Sequence, residues 1–206
     1  MVVVFTVAQQ KGGTGKTTLA ANLAAALVAN NRVALLDIDP QHSLTQWHKL
    51  RPDSASKLSF SEVSGWRVTS ELERLKAAND FIIIDTPPQI DTDARLAIRG
   101  ASLVLVPVQP SPPDVWAAEG TLTLAALERR RAVIVLNRVP STGKLCEAMV
   151  MALRQTRRPL LRALLGNRIG FANAFAEGLG ITEAAPRSIA SNELHAVVNE
   201  LLEITE

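Results

Sequence analysis

Residues 9–18 read QQKGGTGKTT, a stretch with three glycines, two lysines and a run of threonines. Such a turn suits a phosphate. Glycine lets backbone N–H groups fold inward and lets an anion approach closely. A helix beginning near Lys16 adds the positive end of its dipole. In a phosphate loop, Lys16 lies along the β- and γ-phosphates of a nucleoside triphosphate, and Thr17 offers its hydroxyl to Mg²⁺. Gly12, Gly13, Thr14, Gly15 and Thr18 complete the cradle. The usual pattern, G-x-x-x-x-G-K-[ST], asks for glycine where this chain has Gln10. Beside that departure stands Lys11. On spacing alone it reads as a solvated lysine next to the loop. The alternative is that it points out of its own subunit onto the triphosphate of a second copy. A charge supplied in trans to a phosphoryl group counts for much in a water-poor site.

Two carboxylates complete the chemistry. Asp85 ends the apolar run FIIID and is placed to hold Mg²⁺ through water. Asp39, in DIDPQ, ends another run and either orients an attacking water or contacts the metal. Asp37, two residues earlier, faces the same side and reads as structural.

These groups need a scaffold that brings strand ends together. Apolar runs at 2–8, 32–39, 81–88, 103–108 and 132–139 read as strands, with a shorter one at 160–165. Prolines halt the second and third. Helical patterns cover 16–30, 70–78, 91–100, 114–128 and 142–156, and Ser188 caps a closing amphipathic helix over 188–204. Strands apolar on both faces, alternating with helices, predict an α/β fold: a mostly parallel twisted sheet with helices on both faces. Residues 1–206 read as one domain of this kind. Ligands of such sheets bind beyond the carboxyl ends of the strands. The loop after Ala8, Asp39, Asp85, the proline-rich segment 107–113 and Asn137 all fall there.

Composition narrows the class. The chain has 206 residues, 47% hydrophobic and 20% charged, with one cysteine, Cys146. No run approaches the ~20 apolar residues that span a bilayer, and the start lacks the features of a signal peptide. A cytoplasmic protein without stable membrane insertion is the expectation. Between Arg129 and Arg168 lie ten of the 22 Lys and Arg residues and one of the 20 acids, a net +9 there and −7 elsewhere. That asymmetry points to an anionic partner, nucleic acid or lipid. Arg154, Arg157, Arg158 and Arg162 stand close together, and Arg187 is expected to join them in gripping DNA phosphates without reading bases. The last segment, HAVVNELLEITE, has three glutamates and no Lys or Arg, which an anionic bilayer would repel. The three histidines show no ligand spacing, and Trp47, Trp66 and Trp116 read as partly buried packing residues, with Trp116 also a candidate for a dimer face.

Taken together, QQKGGTGKTT, LDIDPQHS, IIIDTPP, PVQPSPPD and LNRV, in this order, resemble the deviant Walker A ATPases of the ParA/MinD family, a SIMIBI-like branch of the P-loop NTPases. The segment NRIGFANAFAEGLGITEAAPRSIASNEL is similar to the C-terminal block of ParA-type proteins, and the small ParA branch is the nearest likeness. The resemblance implies a homodimer sandwiching two ATP molecules with Mg²⁺, with Lys11 crossing to the partner's nucleotide. Asp39 takes the place of the family's catalytic-water aspartate and Asp85 that of its Walker B acid. It assigns Asn137 to the adenine, flanked by the 107–113 loop with Pro110. Family members hold non-specific DNA, on the nucleoid, or membrane in MinD-like members. A ParB-like partner stimulates weak hydrolysis, and the cargo is a plasmid, a chromosome or a protein assembly. The alternative within the family is a MinD-like membrane-associated switch. Related tyrosine kinases carry tyrosine-rich tails and iron–sulfur reductases need two cysteines per subunit; this chain has no tyrosine and one cysteine.

Overall fold

A computed structural model describes residues 2–89, 91–156 and 158–206. The chain alternates strand and helix: β1 (Val3–Val7), α1 (Lys16–Leu27), β2 (Val33–Asp37), α2 (Ser43–Leu50), β3 (Ser59–Glu62), α3 (Arg67–Lys76), β4 (Phe81–Asp85) and α4 (Thr92–Gly100). It continues with β5 (Leu103–Val108), α5 (Pro112–Leu127), β6 (Ala132–Val139), α6 (Lys144–Gln155), β7 (Leu160–Gly166), α7 (Ile169–Ala176), α8 (Ile181–Ala184) and α9 (Ile189–Thr205). Among the described residues the strands form one 7-stranded sheet, ordered β3-β2-β4-β1-β5-β6-β7, and every pairing is parallel. The expected α/β architecture is present.

Strand alternation explains the layers. Phe5, Val7, Leu35, Ile83, Leu105 and Val135 point to one face, where α1, α2, α8 and α9 cover them. Val4, Leu36, Ile82 and Ile84 point to the other face under α3 and α4, and Val104, Val106, Ile134 and Leu136 lie there under α5 and α6. Residues one apart on a strand face opposite sides, so these runs must be apolar throughout.

Helix α1 is enclosed almost all round. Leu19, Ala20, Ala21, Leu23, Ala24, Ala25 and Leu27 are buried, and the alanines let neighbouring chain come close. A Cβ on Gly180 would lie 2.3 Å from the Ala25 methyl. Asn22 makes that contact specific: it accepts from the Ile181 N–H at 2.8 Å and donates to the Thr18 carbonyl. The helix that starts at the loop is thus fastened to the C-terminal third of the chain.

The pattern at 43–62 was not anticipated. α2 forms because Leu44 and Trp47 dock into the core, and β3, with its residues SFSE, is a short edge strand too polar to announce itself. Trp47 is fully buried, whereas Trp66 and Trp116 are 82% and 71% exposed, so the expectation of partial burial fails for all three. Among the described residues no helix is long and apolar enough to cross a membrane.

Ser188 caps α9 by accepting from the Ser191 N–H at 3.1 Å. α9 buries Leu194, Val197, Val198 and Leu201 against the sheet. Ser188→Ala is expected to lower unfolding free energy by about 1 kcal/mol. Urea titration followed by circular dichroism checks this, and an unchanged midpoint would mean the cap is replaced by solvent.

Candidate nucleotide site

The loop after β1 lies at the centre of the sheet, where neighbouring connections leave in opposite directions and a crevice opens. Gly13 and Gly15 sit at φ 78° and 90°, the left-handed region that favours glycine. A Cβ on Gly15 would also strike the Asn137 amide at 2.5 Å, so this position has no room for a side chain. Among the described residues the N–H groups of Gly12, Thr14, Gly13 and Gly15 meet no protein acceptor. They form a nest of free donors at the start of α1, the arrangement that suits phosphate oxygens.

Beneath the nest lie charges removed from water. Register places Asp37 opposite Asp85 and Asp85 opposite Val7, on the face that carries α1. Lys16 is 7% exposed, and burial pushes its pKa down against the opposing pull of Asp85 and Asp39. Asp85 is fully buried and neither carboxylate oxygen reaches hydrogen-bond geometry with a described group. Burial pushes its pKa up to about 8; the Thr17 hydroxyl and Lys16 oppose this, while Asp37 and Asp39 reinforce it. A buried carboxylate with no partner is costly unless a cation or its water arrives. The donor set of Asp85, Asp39 and Thr17 is all oxygen, which suits Mg²⁺.

Asp37 differs from Asp85 in being satisfied. It accepts from the Asp39 N–H at 3.1 Å, the Thr45 N–H at 2.9 Å and the Thr45 hydroxyl at 2.7 Å. It fixes the turn between β2 and α2, consistent with a structural part. Asp39, also buried, accepts from the Gln41 N–H at 3.0 Å, which leaves lone pairs for other partners.

Lys11 stands at the mouth of the loop with its side chain 40% exposed. Within the subunit it does not point away from its own chain; it forms an ion pair with Asp114 on α5. The reason is local. Asp114 is 3% exposed at its side chain and needs a counter-charge, whereas the Lys11 side chain is 40% exposed and reaches it. Ser111 also donates to Asp114, and a Cβ on Gly120 would collide with the Gln10 side chain, so the loop's first residues rest along α5.

Asn137 donates to the Thr14 carbonyl at 2.8 Å, and its neighbour Arg138 donates to the Gly13 carbonyl at 3.1 Å. Beside them opens a cavity of about 170 Å³, lined by Thr18, Asn22, Asn137, Arg138 and the β7–α7 segment from Leu165 to Ala172. Pro110 is not among its lining residues. The 107–113 loop packs instead on the Lys11 side, where Gln109 donates to the Gly13 carbonyl and Pro107 accepts from Gln9. That Gly13 carbonyl also accepts from Arg138, so the 107–113 loop and Arg138 meet at the phosphate loop. Asn22, Arg138 and Asp114 were missed by sequence reasoning; only the NRIGF segment gave a signal.

The arginines divide. Arg154 donates to the Arg162 carbonyl at 3.3 Å, Arg158 pairs with Glu119, and Arg162 pairs with Glu200 and Glu203. All of these lie at the amino edge of the sheet, where β7 begins. Arg187 precedes α9, whose start packs by the end of β7: Glu193 accepts from the Gly166 N–H, and Glu200 from the Arg162 N–H. Arg187 thus sits at the opposite edge and does not join the group. Arg157 lies outside the described residues.

A parallel sheet with a glycine nest, a buried lysine and an orphaned strand-end aspartate is a P-loop nucleotide-binding protein. The comparisons place it more closely: residues 5–181 match the CobQ/CobB/MinD/ParA nucleotide binding domain, and the chain belongs to this family. It is 30% identical to maintenance of carboxysome distribution protein A of Halothiobacillus neapolitanus, over 95% of this chain and 94% of that protein. The fold is shared with apo McdA of Cyanothece (TM-score 0.81, 18% identity, covering 98% of this chain and 100% of that one). It is shared also with the cell division ATPase MinD of Pyrococcus furiosus (TM-score 0.80, 20% identity, covering 99% and 100%).

The sign of the Asp85 shift makes a test. In the nucleotide-free fold it keeps its proton up to about pH 8, while the unfolded chain releases it near 3.8. Folding stability is therefore lost as pH rises across that interval. Asp85→Asn is expected to exceed the parent in stability at pH 8, by a margin that shrinks toward pH 4. Urea unfolding over this range measures it, and a margin independent of pH would mean the carboxylate is already ionised.

Proposed function

We propose that residues 1–206 act as one Mg²⁺-dependent ATPase unit of the ParA type. It closes into a dimer around two ATP molecules, holds DNA without sequence preference and positions a cargo. The observation that carries this reading is the second lysine of the loop. Lys16 already fills the inside of the cradle, and Lys11 stands half-exposed at its mouth, held by one side-chain ion pair that can be exchanged. A triphosphate on a second subunit offers Lys11 more negative charge than Asp114 does.

The surrounding surface supports a partner at this edge. Trp66, Trp116 and Ile169 all follow strands at the carboxyl edge, and they are 82%, 71% and 76% exposed. Large apolar groups spread across one edge suit burial against a second copy. In the working site, Lys16 and the nest neutralise the phosphates. Thr17, Asp85 and Asp39 would hold Mg²⁺, which supplies charge neutralisation at the transferred phosphoryl group. Asp39 positions water, Asn137 and the β7–α7 turn receive the base, and Lys11 reaches the partner's nucleotide. Among the described residues no strong base stands near, so unassisted hydrolysis is slow and a small ParB-like activator sets its timing. Relatives of this chain are named for carboxysome distribution and for plasmid partition, and a protein assembly of the first kind is the cargo suggested by the carboxysome-distribution relative. The reading places the protein in the cytoplasm on the nucleoid. A MinD-like membrane role has less support, because α9 buries its apolar face and ends in Glu200, Glu203 and Glu206.

Light scattering with Mg²⁺ and a non-hydrolysable ATP analogue is expected to give a dimer for the parent chain and a monomer for Lys11→Ala. Asp114→Asn, which frees Lys11, is expected to dimerise at lower nucleotide concentration. A parent chain that stays monomeric at saturation would end the proposal. Asp39→Ala should dimerise normally yet lose about a hundredfold in turnover, the scale of a misplaced reactant; phosphate release assays read this, and unchanged turnover would remove Asp39 from the water's path.

A further inference from the structure

Three side chains from two neighbouring strand ends hold the peptides of the phosphate loop. Arg138 Nη1, near the end of β6, and Gln109 Nε2, just past β5, each donate to the Gly13 carbonyl at 3.1 Å. Asn137 donates to the Thr14 carbonyl at 2.8 Å, and its own amide oxygen accepts from the Arg138 N–H at 3.0 Å. A trans peptide directs its C=O and its N–H to opposite sides. Holding the Gly13 carbonyl outward therefore turns the Thr14 N–H inward, and holding the Thr14 carbonyl does the same for the Gly15 N–H. Both N–H groups belong to the nest and meet no protein acceptor among the described residues. Gly13 and Gly15 flank these peptides, and glycine alone would let them turn elsewhere.

β6 is built irregularly where it delivers Arg138. Leu136 pairs with Leu164 and Val139 with Gly166, so β6 advances three residues where β7 advances two. The extra residue makes a β-bulge, a device that re-aims a side chain. Arg138 lies in it at φ 51°, a left-handed conformation that a residue with a side chain adopts at a cost. The strain does not serve to fill the core, because Arg138 is exposed. Among the described residues the Gly13 carbonyl is the one acceptor that its guanidinium meets.

We infer that Arg138 and Gln109 are positioning residues that clamp the Gly13–Thr14 peptide from two sides, so that the loop presents its N–H donors to a nucleotide's phosphates before the ligand arrives. What the clamp needs is a hydrogen bond to a peptide and not a charge on the phosphate. Gln109 supplies that bond with a neutral amide at the same distance as the guanidinium. The loop is then ordered on folding and not on binding, which is how preorganisation raises affinity. The inference rests on the nucleotide reading of this site and not on the dimer.

The test follows binding of fluorescent ADP with Mg²⁺ to the full chain by anisotropy, beside urea unfolding of each variant. Arg138→Met keeps a long side chain without a donor and is expected to lose about tenfold in affinity, the scale of one hydrogen bond. Arg138→Lys restores a donor and is expected to recover most of that loss. The ratio of parent to Arg138→Met affinity is expected to stay constant between about 50 and 300 mM salt, because no exposed charge pair is being screened. Arg138→Gly relieves the backbone and is expected to unfold at no lower urea concentration than the parent, yet to bind as weakly as Arg138→Met. Gln109→Ala/Arg138→Met is expected to lose more than the two single losses multiplied, since either donor alone still restrains the carbonyl. In phosphate release assays, Arg138→Met is expected to raise KM and leave kcat near the parent value. Parental affinity in both Arg138→Met and the double variant overturns the clamp. A ratio that vanishes at high salt means that the guanidinium acts on the phosphates by charge, and overturns it too. An Arg138→Gly chain that unfolds well before the parent makes the residue structural and ends the positioning role. A parent chain that binds no nucleotide overturns the underlying reading of the site instead.

Discussion

Burying opposite charges without joining them governs this molecule. Lys16 and Asp85 both leave water at the end of a sheet covered on both faces, and among the described residues Lys16 has no carboxylate within salt-bridge distance. Each is shifted toward its neutral form by the same cause, the loss of hydration. The free subunit therefore holds an incomplete electrostatic site. A nucleotide with its cation would supply the missing charges, in keeping with the nucleotide-binding family to which the chain belongs.

The second lysine is set against a different carboxylate. Asp114 is buried at the first turn of α5 and Lys11 is its counter-charge. Drawing Lys11 away leaves a buried carboxylate without its counter-charge. The same helix touches Gln10 near Gly120 and pairs Glu119 with Arg158. The start of the phosphate loop and the amino-edge arginines thus meet on one helix.

A parallel sheet also imposes polarity. All strand ends that carry the nucleotide chemistry lie on one edge, and all turns entering strands lie on the other. α9 records this polarity, because it runs back along β7 from Glu193 beside Gly166 to Glu200 beside Arg162. A charge excess that looks like one continuous basic segment in the chain is therefore split, with Arg168 at one edge and Arg154, Arg158 and Arg162 at the other.

Much of this was legible in the residues alone. Apolar runs on both strand faces dictate a parallel layered fold, and glycines followed by Lys16 and Thr17 dictate a phosphate cradle, because both depend on local spacing and backbone freedom. Asp85 could be placed as well, since a strand end is a local property. What the chain order could not reveal was pairing across distance. The partner of Lys11 is 103 residues away, the cavity beside Asn137 takes a wall from the β7–α7 segment, and the short polar edge strand β3 has no pattern of its own. Those choices were decided by which strands lie side by side, and strand order is set by the packing of the whole sheet, not by any segment within it.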